Sequence, residues 1–385
     1  MKVYSKINQS YKLCLFSIYK IIKEIFPFKN KKVFLDLKKY FKERDNNLKY
    51  IKNNKDFFVF VKKILADLKN SHTKLGGYPW KIFKPINYDI VWIENKFYLR
   101  KINKIIGEIL LVDNKIPEAI LKEARGMISG STDQYLKNQG LKFILADKKQ
   151  NMAEVKIKLD DKIYTKNIKR ELVNYKEKHF YTKKITNNIV YFKVPVWRNI
   201  GQVLEQKLAF FFKNGVRVLI IDLRGNMGGN SAESDIFTSH LFRKKVLFGT
   251  AEIRSSNKNL KLKKHYYFIN PSEPYWNIPI ILIVDSECFS SSELFIAGMK
   301  DNKRALVIGE TTGGGTGNPR KFAIPCGKLS LELFVSTWNY QRINGQSIEG
   351  RGVEPNIFIS PILDDLLKGK DVVLERAVLE AKKLI

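Results

Sequence analysis

Apolar residues recur at helical spacing in the first part of the chain: Leu15, Ile18, Ile21, Ile22 and Ile25, then Phe34, Leu37, Tyr40 and Phe41, then Phe57, Phe60, Val61, Ile64, Leu65 and Leu68. Steps of three and four place them on one face, so the pattern predicts packed amphipathic helices up to about residue 75. The last of these helices runs into Asn70-Ser71-His72-Thr73, and Gly76-Gly77-Tyr78-Pro79 breaks it. Beyond Trp80 the pattern changes to short β runs at 89–93, 97–102, 108–112 and 153–158, with one helix at 117–125. Such strands suit a small module that pairs an extended peptide with a sheet edge. From residue 189 onward, near-continuous apolar runs at 190–194, 216–221, 278–284 and 305–308 alternate with helical patterns at 203–212, 232–242 and 291–299. Strands that are apolar on both faces and alternate with helices are buried and largely parallel, which predicts a layered α/β domain. The expected organisation is a helical N-terminal domain over 1–76, a small α+β module over 77–182 and an α/β domain over 183–385.

At 385 residues each unit can bury a core without a metal or disulfide staple. The net charge of +31 would attract polyanions, yet lysines are spread along the whole chain and no basic arm or nucleic-acid module stands apart. Nucleic acid is therefore not an expected partner. Residues 13–28 are partly apolar, but Lys20 and Lys23 interrupt them and no small-residue cleavage site follows. A stretch this short and charged neither spans a bilayer nor makes a good signal peptide, so a helix packed on the domain and a cytoplasmic location are expected. Cys14, Cys288 and Cys326 are few, scattered and odd in number, which argues against a disulfide framework or a Cys-rich zinc site and for a reducing compartment. Cys288 lacks a local base and reads as a small core residue.

In open α/β sheets functional groups collect where strand turns into helix. Two such junctions here are unusual in composition. In Asp222-Leu223-Arg224-Gly225-Asn226-Met227-Gly228-Gly229 the glycines allow backbone amides to aim at an oxyanion. In Val284-Asp285-Ser286-Glu287-Cys288-Phe289-Ser290-Ser291-Ser292-Glu293 serines stand at a helix start. A serine there is ordinarily a cap. As a nucleophile it would have the next residue's amide and the helix dipole beside it, with Gly228 or Gly229 as second donor. Asp222 and Arg224 are expected to fix their turn by buried ion pairing.

These two motifs, together with Ile308-Gly309-Glu310-Thr311-Thr312-Gly313-Gly314-Gly315 and Gly350-Arg351-Gly352-Val353-Glu354-Pro355-Asn356, occur in an order and spacing that resembles the tail-specific, or C-terminal processing, serine peptidases. The resemblance implies a ClpP/crotonase-like layered fold, a PDZ-like module around residues 106–117, no metal or cofactor, and a peptide or protein substrate entering through its C-terminal segment. It selects Ser290, three residues before Glu293, as nucleophile. Gly315 stands where the Ser/Lys members place their lysine base, so this chain is instead similar to the tricorn-core and retinol-binding-protein-like branch with a Ser/His/Glu arrangement. Carried over residue by residue, His72 is the general base, Ser71 its helper and Glu349 the acid that orients the imidazole, with Glu354 as the alternative. The implied oxyanion donors come from Gly228, Gly229 and Ser291. Met227 departs from the glycine that relatives often carry, which narrows the expected oxyanion site. His179, His240 and His265, in lysine-rich or surface-looking helical contexts, are read as structural. The rival reading is a catalytically inactive peptide- or ligand-binding relative, since fold does not fix activity. An esterase or amidase acting on small molecules shares the same chemistry.

Overall fold

The computed structural model describes residues 2–28, 37–77, 82–102, 104–147, 150–172, 179–254, 261–327 and 329–385, with side chains from residue 9 onward. Phe34, Tyr78, Pro79 and Trp80 of the expected pattern lie outside the described residues.

Helix α1 (Lys2–Ile25) buries Tyr11, Cys14, Leu15, Ile18 and Ile22 on one face and leaves Leu13 and Phe16 exposed on the other. Helix α2 (Leu37–Asp45) and α3 (Asn54–Ala66) complete the apolar layer, where Tyr11 stacks on Phe57 with ring centroids 4.1 Å apart. The Asn53 side chain caps α3 by accepting the amides of Lys55 and Asp56 at 2.9 and 3.0 Å. After α3 the chain passes through residues 70–73 into a two-residue strand, β1 (Lys74–Leu75).

A six-stranded antiparallel sheet follows, built from β2 (Phe83–Pro85), β3 (Tyr88–Ile93), β4 (Lys96–Lys101), β5 (Lys104–Val112), β6 (Met152–Leu159) and β7 (Lys162–Leu172) in the order β2-β7-β6-β5-β4-β3. Between β5 and β6 lie helices α4 (Pro117–Arg125) and α5 (Asp133–Ile144). The alternation along β6, with Ala153, Val155 and Ile157 buried, turns one face onto these helices.

The second half is organised by a mixed sheet in the order β18-β14-β13-β10-β9-β8. Its members are β8 (Tyr181–Lys184), β9 (Ile189–Lys193), β10 (Val218–Asp222), β13 (Ile280–Val284), β14 (Ala305–Gly309) and β18 (Ile357–Phe358). All neighbours are parallel except the edge pair β8 and β9. Helices α6 (Gly201–Lys213), α7 (Ser231–Ser239) and α8 (Ser291–Asp301) belong to the core on one face, and α10 (Val372–Lys382), after the short α9 (Leu363–Leu367), covers the other. Leu219, Ile221, Leu282 and Val284 face the first core, while Val218, Ile220, Ile281 and Ile283 meet Val373 and Ala377 in the second. Burial on both faces explains why these strands carry unbroken apolar runs.

Two antiparallel three-stranded sheets complete the fold. One joins β11 (Val246–Arg254), β12 (Leu262–Ile269) and β17 (Trp338–Gln341) in the order β12-β11-β17. The other pairs β15 (Arg320–Cys326) with β16 (Leu329–Val335), and β16 pairs in turn with β1, Lys74 opposite Phe334 and Leu75 opposite Leu333. The N-terminal helices share a single apolar core with this hairpin, through Ile324, Cys326, Leu331, Leu333 and Val335. The segment that carries His72 is thus clamped onto the far end of the chain.

Candidate active site

Strands β10 and β13 are parallel neighbours, so the turns that leave their carboxyl ends emerge side by side. Asp285 laces them together, because its Oδ1 accepts the Gly225 amide from one turn and the Cys288 amide from the other, both at 3.0 Å. Phe289 N donates to Asn226 O at 3.0 Å. Ser290 then adopts φ +58° and ψ −126°, a conformation that strains a non-glycine residue and is the kind of sharp strand-to-helix turn that presents a hydroxyl. It is held there because its amide faces Gly315 O and Glu293 Oε2, each at 3.1 Å. Ser290 O accepts the Glu293 amide at 2.8 Å. Its Oγ lies 2.9 Å from Nε2 of His72, a residue 218 positions away.

Three contacts fix the imidazole. Its ring stacks on Phe289 with centroids 5.0 Å apart, and Phe289 stacks in turn on Tyr135 at 4.5 Å. Side chains of its loop are tied to Ser336, just past β16: Ser336 Oγ donates to Asn70 Oδ1 at 2.7 Å, and Ser336 N donates to Thr73 Oγ1 at 3.1 Å. Gly317 closes the third side so tightly that a Cβ there would sit 2.7 Å from His72 Cβ. Burial, and secondarily the positive charge of Lys74, push the His72 pKa down to about 3, so the ring is neutral at neutral pH. With the ring proton on Nδ1, Nε2 accepts the Ser290 hydroxyl proton. Nδ1 itself is buried and makes no hydrogen bond among the described residues. Titration of the His72 ring followed by NMR is expected to fall well below pH 6.5 in the folded protein, and Lys74→Gln is expected to move it upward by removing a repulsive charge. A wild-type midpoint near 6.5 would contradict this environment.

The glycine turn packs directly on the nucleophile turn. Gly228, at φ +97°, comes so close that a Cβ would lie 2.8 Å from Ser290 Cβ and 3.0 Å from Ser291 N. Its own amide donates to Asn226 Oδ1 at 2.8 Å. The amides of Gly229 and of Ser291, the first residue of α8, donate to no backbone carbonyl outside regular structure among the described residues. Ser291 Oγ donates to Gly229 O at 3.2 Å and ties the two turns together. Met227 is partly exposed, with its sulfur about van der Waals distance from Gln139 and Lys142 of α5 at 4.0 and 3.9 Å, so its side chain leans toward the antiparallel sheet's helices.

Glu349 is buried and its Oε2 accepts the Thr316 amide at 3.0 Å, in the segment whose neighbours Gly315 and Gly317 press on Ser71 and His72. Ser71 is fully buried, and a Cβ on Gly315 would stand 2.4 Å from its Oγ. A longer side chain at 315 would therefore collide with Ser71 and Phe289. Glu354 is exposed and touches Lys300 through its carbonyl. Asp222 and Arg224 form the expected buried pairing: Asp222 takes Arg224 at 2.6 Å, Lys193 at 2.9 Å and the Tyr191 hydroxyl at 2.8 Å. Cys288 is fully buried, as its sequence context suggested.

Of the remaining histidines, His179 is exposed as its context suggested, whereas His240 and His265 do not lie on a surface helix. His240 is buried at the end of α7, between Pro274 O at 3.0 Å and Glu205 at 3.4 Å, and His265 is exposed on strand β12. Sequence reasoning used Glu293 only to count back to Ser290. In the structure its two carboxyl oxygens gather the amides of Ser290, Gly314 and Gly315 and the Thr312 hydroxyl. Its position at the third residue of a helix was the available signal, since a glutamate there reaches back to the capping residue.

Residues 188–359 match the family model described as peptidase family S41. A carboxy-terminal-processing protease of Bartonella bacilliformis is 28% identical over 155 residues, which are 40% of this chain and 34% of that protein. A tricorn protease homolog of Saccharolobus solfataricus is 25% identical over 249 residues, 62% of this chain and 20% of that protein. The chain thus corresponds to about a third or less of the length of these curated relatives. The crystal structure of mature CPAF superposes with a TM-score of 0.82 over 98% of each chain at 14% identity, a likeness of fold.

Proposed function

We propose that this chain, which belongs to peptidase family S41 through residues 188–359, is a serine peptidase that cleaves peptide bonds through an acyl-enzyme on Ser290. The observation that carries the proposal is the 2.9 Å contact between Ser290 Oγ and a neutral His72 Nε2. His72 takes the hydroxyl proton as Oγ attacks the substrate carbonyl, then returns it to the leaving amine, and water releases the acyl group by the same route in reverse. The oxyanion is held by the amides of Ser291 and Gly229, while Gly228 keeps the two turns in contact. To Glu349, whose Oε2 accepts the Thr316 amide between Gly315 and Gly317, falls the role of the acid that orients the imidazole, and to Ser71 that of its helper.

Around this centre we assign the ranges 1–76 to a helical domain that brings the base, 77–182 to a PDZ-like module and 183–385 to a ClpP/crotonase-like catalytic domain. A cavity of about 640 Å³ lies between the edge strand β3, helix α5 and the turn at Asp285, Ser286 and Glu287. An extended segment, such as the carboxyl terminus of a protein substrate, would dock there by adding to the sheet edge. No described helix is long and apolar enough to cross a membrane, and we place the chain in the cytoplasm on its cysteine usage.

Turnover of casein by the purified protein, beside p-nitrophenyl ester turnover, tests this reading. Casein cleavage by the wild type that Ser290→Ala abolishes is the expected result. Ester hydrolysis without casein cleavage would point to small-molecule substrates, and neither activity in folded protein would point to a binding relative.

A further inference from the structure

The three cysteines are thiols in this structure, and two of them, far apart in sequence, share one core. Cys14 projects from α1 and Cys326 ends β15, both 1% exposed and both in the core that the N-terminal helices share with the hairpin. The two side chains are interacting neighbours in that core. One turn before Cys14, Ser10 meets the next residue of the hairpin: a Cβ on Gly327 would lie 3.6 Å from Ser10 Cβ. Two successive contacts of this kind mean that the helix and the strand end are held in register. Cys288, by contrast, is enclosed in the core of the parallel sheet.

We propose that Cys14 and Cys326 are a redox-sensitive cross-linking site, at which peroxide converts the thiol pair into a disulfide that fastens α1 to the β15–β16 hairpin. The chemistry needs one thiolate and one neighbour. The thiolate sulfur of one cysteine attacks hydrogen peroxide, the O–O bond breaks, hydroxide leaves and a sulfenic acid forms. The second thiol attacks that sulfur, the S–O bond breaks and, with its proton, water leaves. Two thiols are oxidised by two electrons and one peroxide is reduced to two waters. The two thiols occupy equivalent places in one core, both 1% exposed, so either sulfur can attack peroxide and the other resolves.

The consequence reaches the candidate active site through covalent structure. Strand β16 pairs with β1 and is followed directly by Ser336, which holds Asn70 and Thr73 on either side of His72. A bond between residues 14 and 326 therefore ties both ends of the segment that positions the imidazole. It also closes a very long loop, which restricts the unfolded chain strongly.

The test exposes the native protein to hydrogen peroxide, blocks remaining thiols with iodoacetamide after unfolding, and maps the peptides without reduction. Oxidation of the partly exposed Met227 to its sulfoxide reports that oxidant was sufficient. A peptide pair joined through Cys14 and Cys326, lighter by two hydrogens and separated by dithiothreitol, is expected, with Cys288 still alkylated. The cross-linked protein should melt about 3–8 °C higher, and dithiothreitol should remove that shift. Cys14→Ser and Cys326→Ser should each abolish the joined peptide. Full alkylation of both cysteines once Met227 is oxidised, or separate sulfinic acids at the two positions, would overturn the proposal.

Discussion

His72→Ala is expected to lower kcat/KM on a peptide substrate by about 10⁴- to 10⁶-fold, as expected when one member of a cooperating nucleophile and base is removed. The size follows from the surroundings of the ring. Among the described residues no other titratable side chain hydrogen-bonds Ser290 Oγ, so no neighbour takes over as base. Position 315 is a glycine pressed against Ser71 and Phe289, which leaves no room for a base there. The substitution leaves the Ser336 contacts to Asn70 and Thr73 in place, and far-ultraviolet circular dichroism should remain that of the wild type. A loss of less than tenfold would mean that the 2.9 Å contact is not the productive one.

Glu293→Gln should cost about 2–4 kcal/mol of stability, read from urea unfolding, and lower kcat as well. Both carboxyl oxygens are acceptors here: Oε1 takes Gly314 N at 2.8 Å and the Thr312 hydroxyl, and Oε2 takes Gly315 N at 2.9 Å and Ser290 N at 3.1 Å. A glutamine must turn an NH₂ group toward one of these donor pairs, leaving buried donors facing a donor. Because one donor is the amide of Ser290 itself, the strained turn at φ +58° loosens with the network. Unchanged stability would show that the carboxyl group is dispensable to the turn.

Parts of this arrangement are legible in the chain. The parallel strands announce themselves because burial on both faces demands runs such as Val218 to Ile221 and Ile280 to Val284. The face of α1 is equally plain, with Leu15, Ile18 and Ile22 buried at helical spacing. Other elements leave a weaker trace. Helix α5 carries Gly140, packed within 2.4 Å of Leu121 if given a Cβ, and mixes apolar with polar positions, so its period is blurred. Strands β7 and β12 are largely exposed, and their Lys-rich faces hide the alternation. The pairing of β1 with β16 could not be read at all, because two residues carry no period and their partners lie some 260 positions away by the register of Lys74 and Phe334.

The candidate site divides in the same way. Composition at the two strand-to-helix junctions marks the run of serines at 290–292 and the glycine turn locally, and resemblance picks Ser290 among them. His72 is tied to them only by resemblance, since nothing in its spacing says that it returns to residue 290. Shared burial of the N-terminal helices with Leu331, Leu333 and Val335 is what brings it back, and such a nonlocal core has no signature along the chain. The same holds for Glu349 beside Thr316 and for the stack of His72, Phe289 and Tyr135.

The central claim is that Ser290 is an activated nucleophile. Fluorophosphonate labelling of the purified wild type, with mapping of the modified residue and with Ser290→Ala and His72→Ala alongside, tests it most directly. The account predicts a single adduct on Ser290 that both substitutions abolish. Folded wild-type protein that takes no label, or labelling that survives in Ser290→Ala, would contradict it.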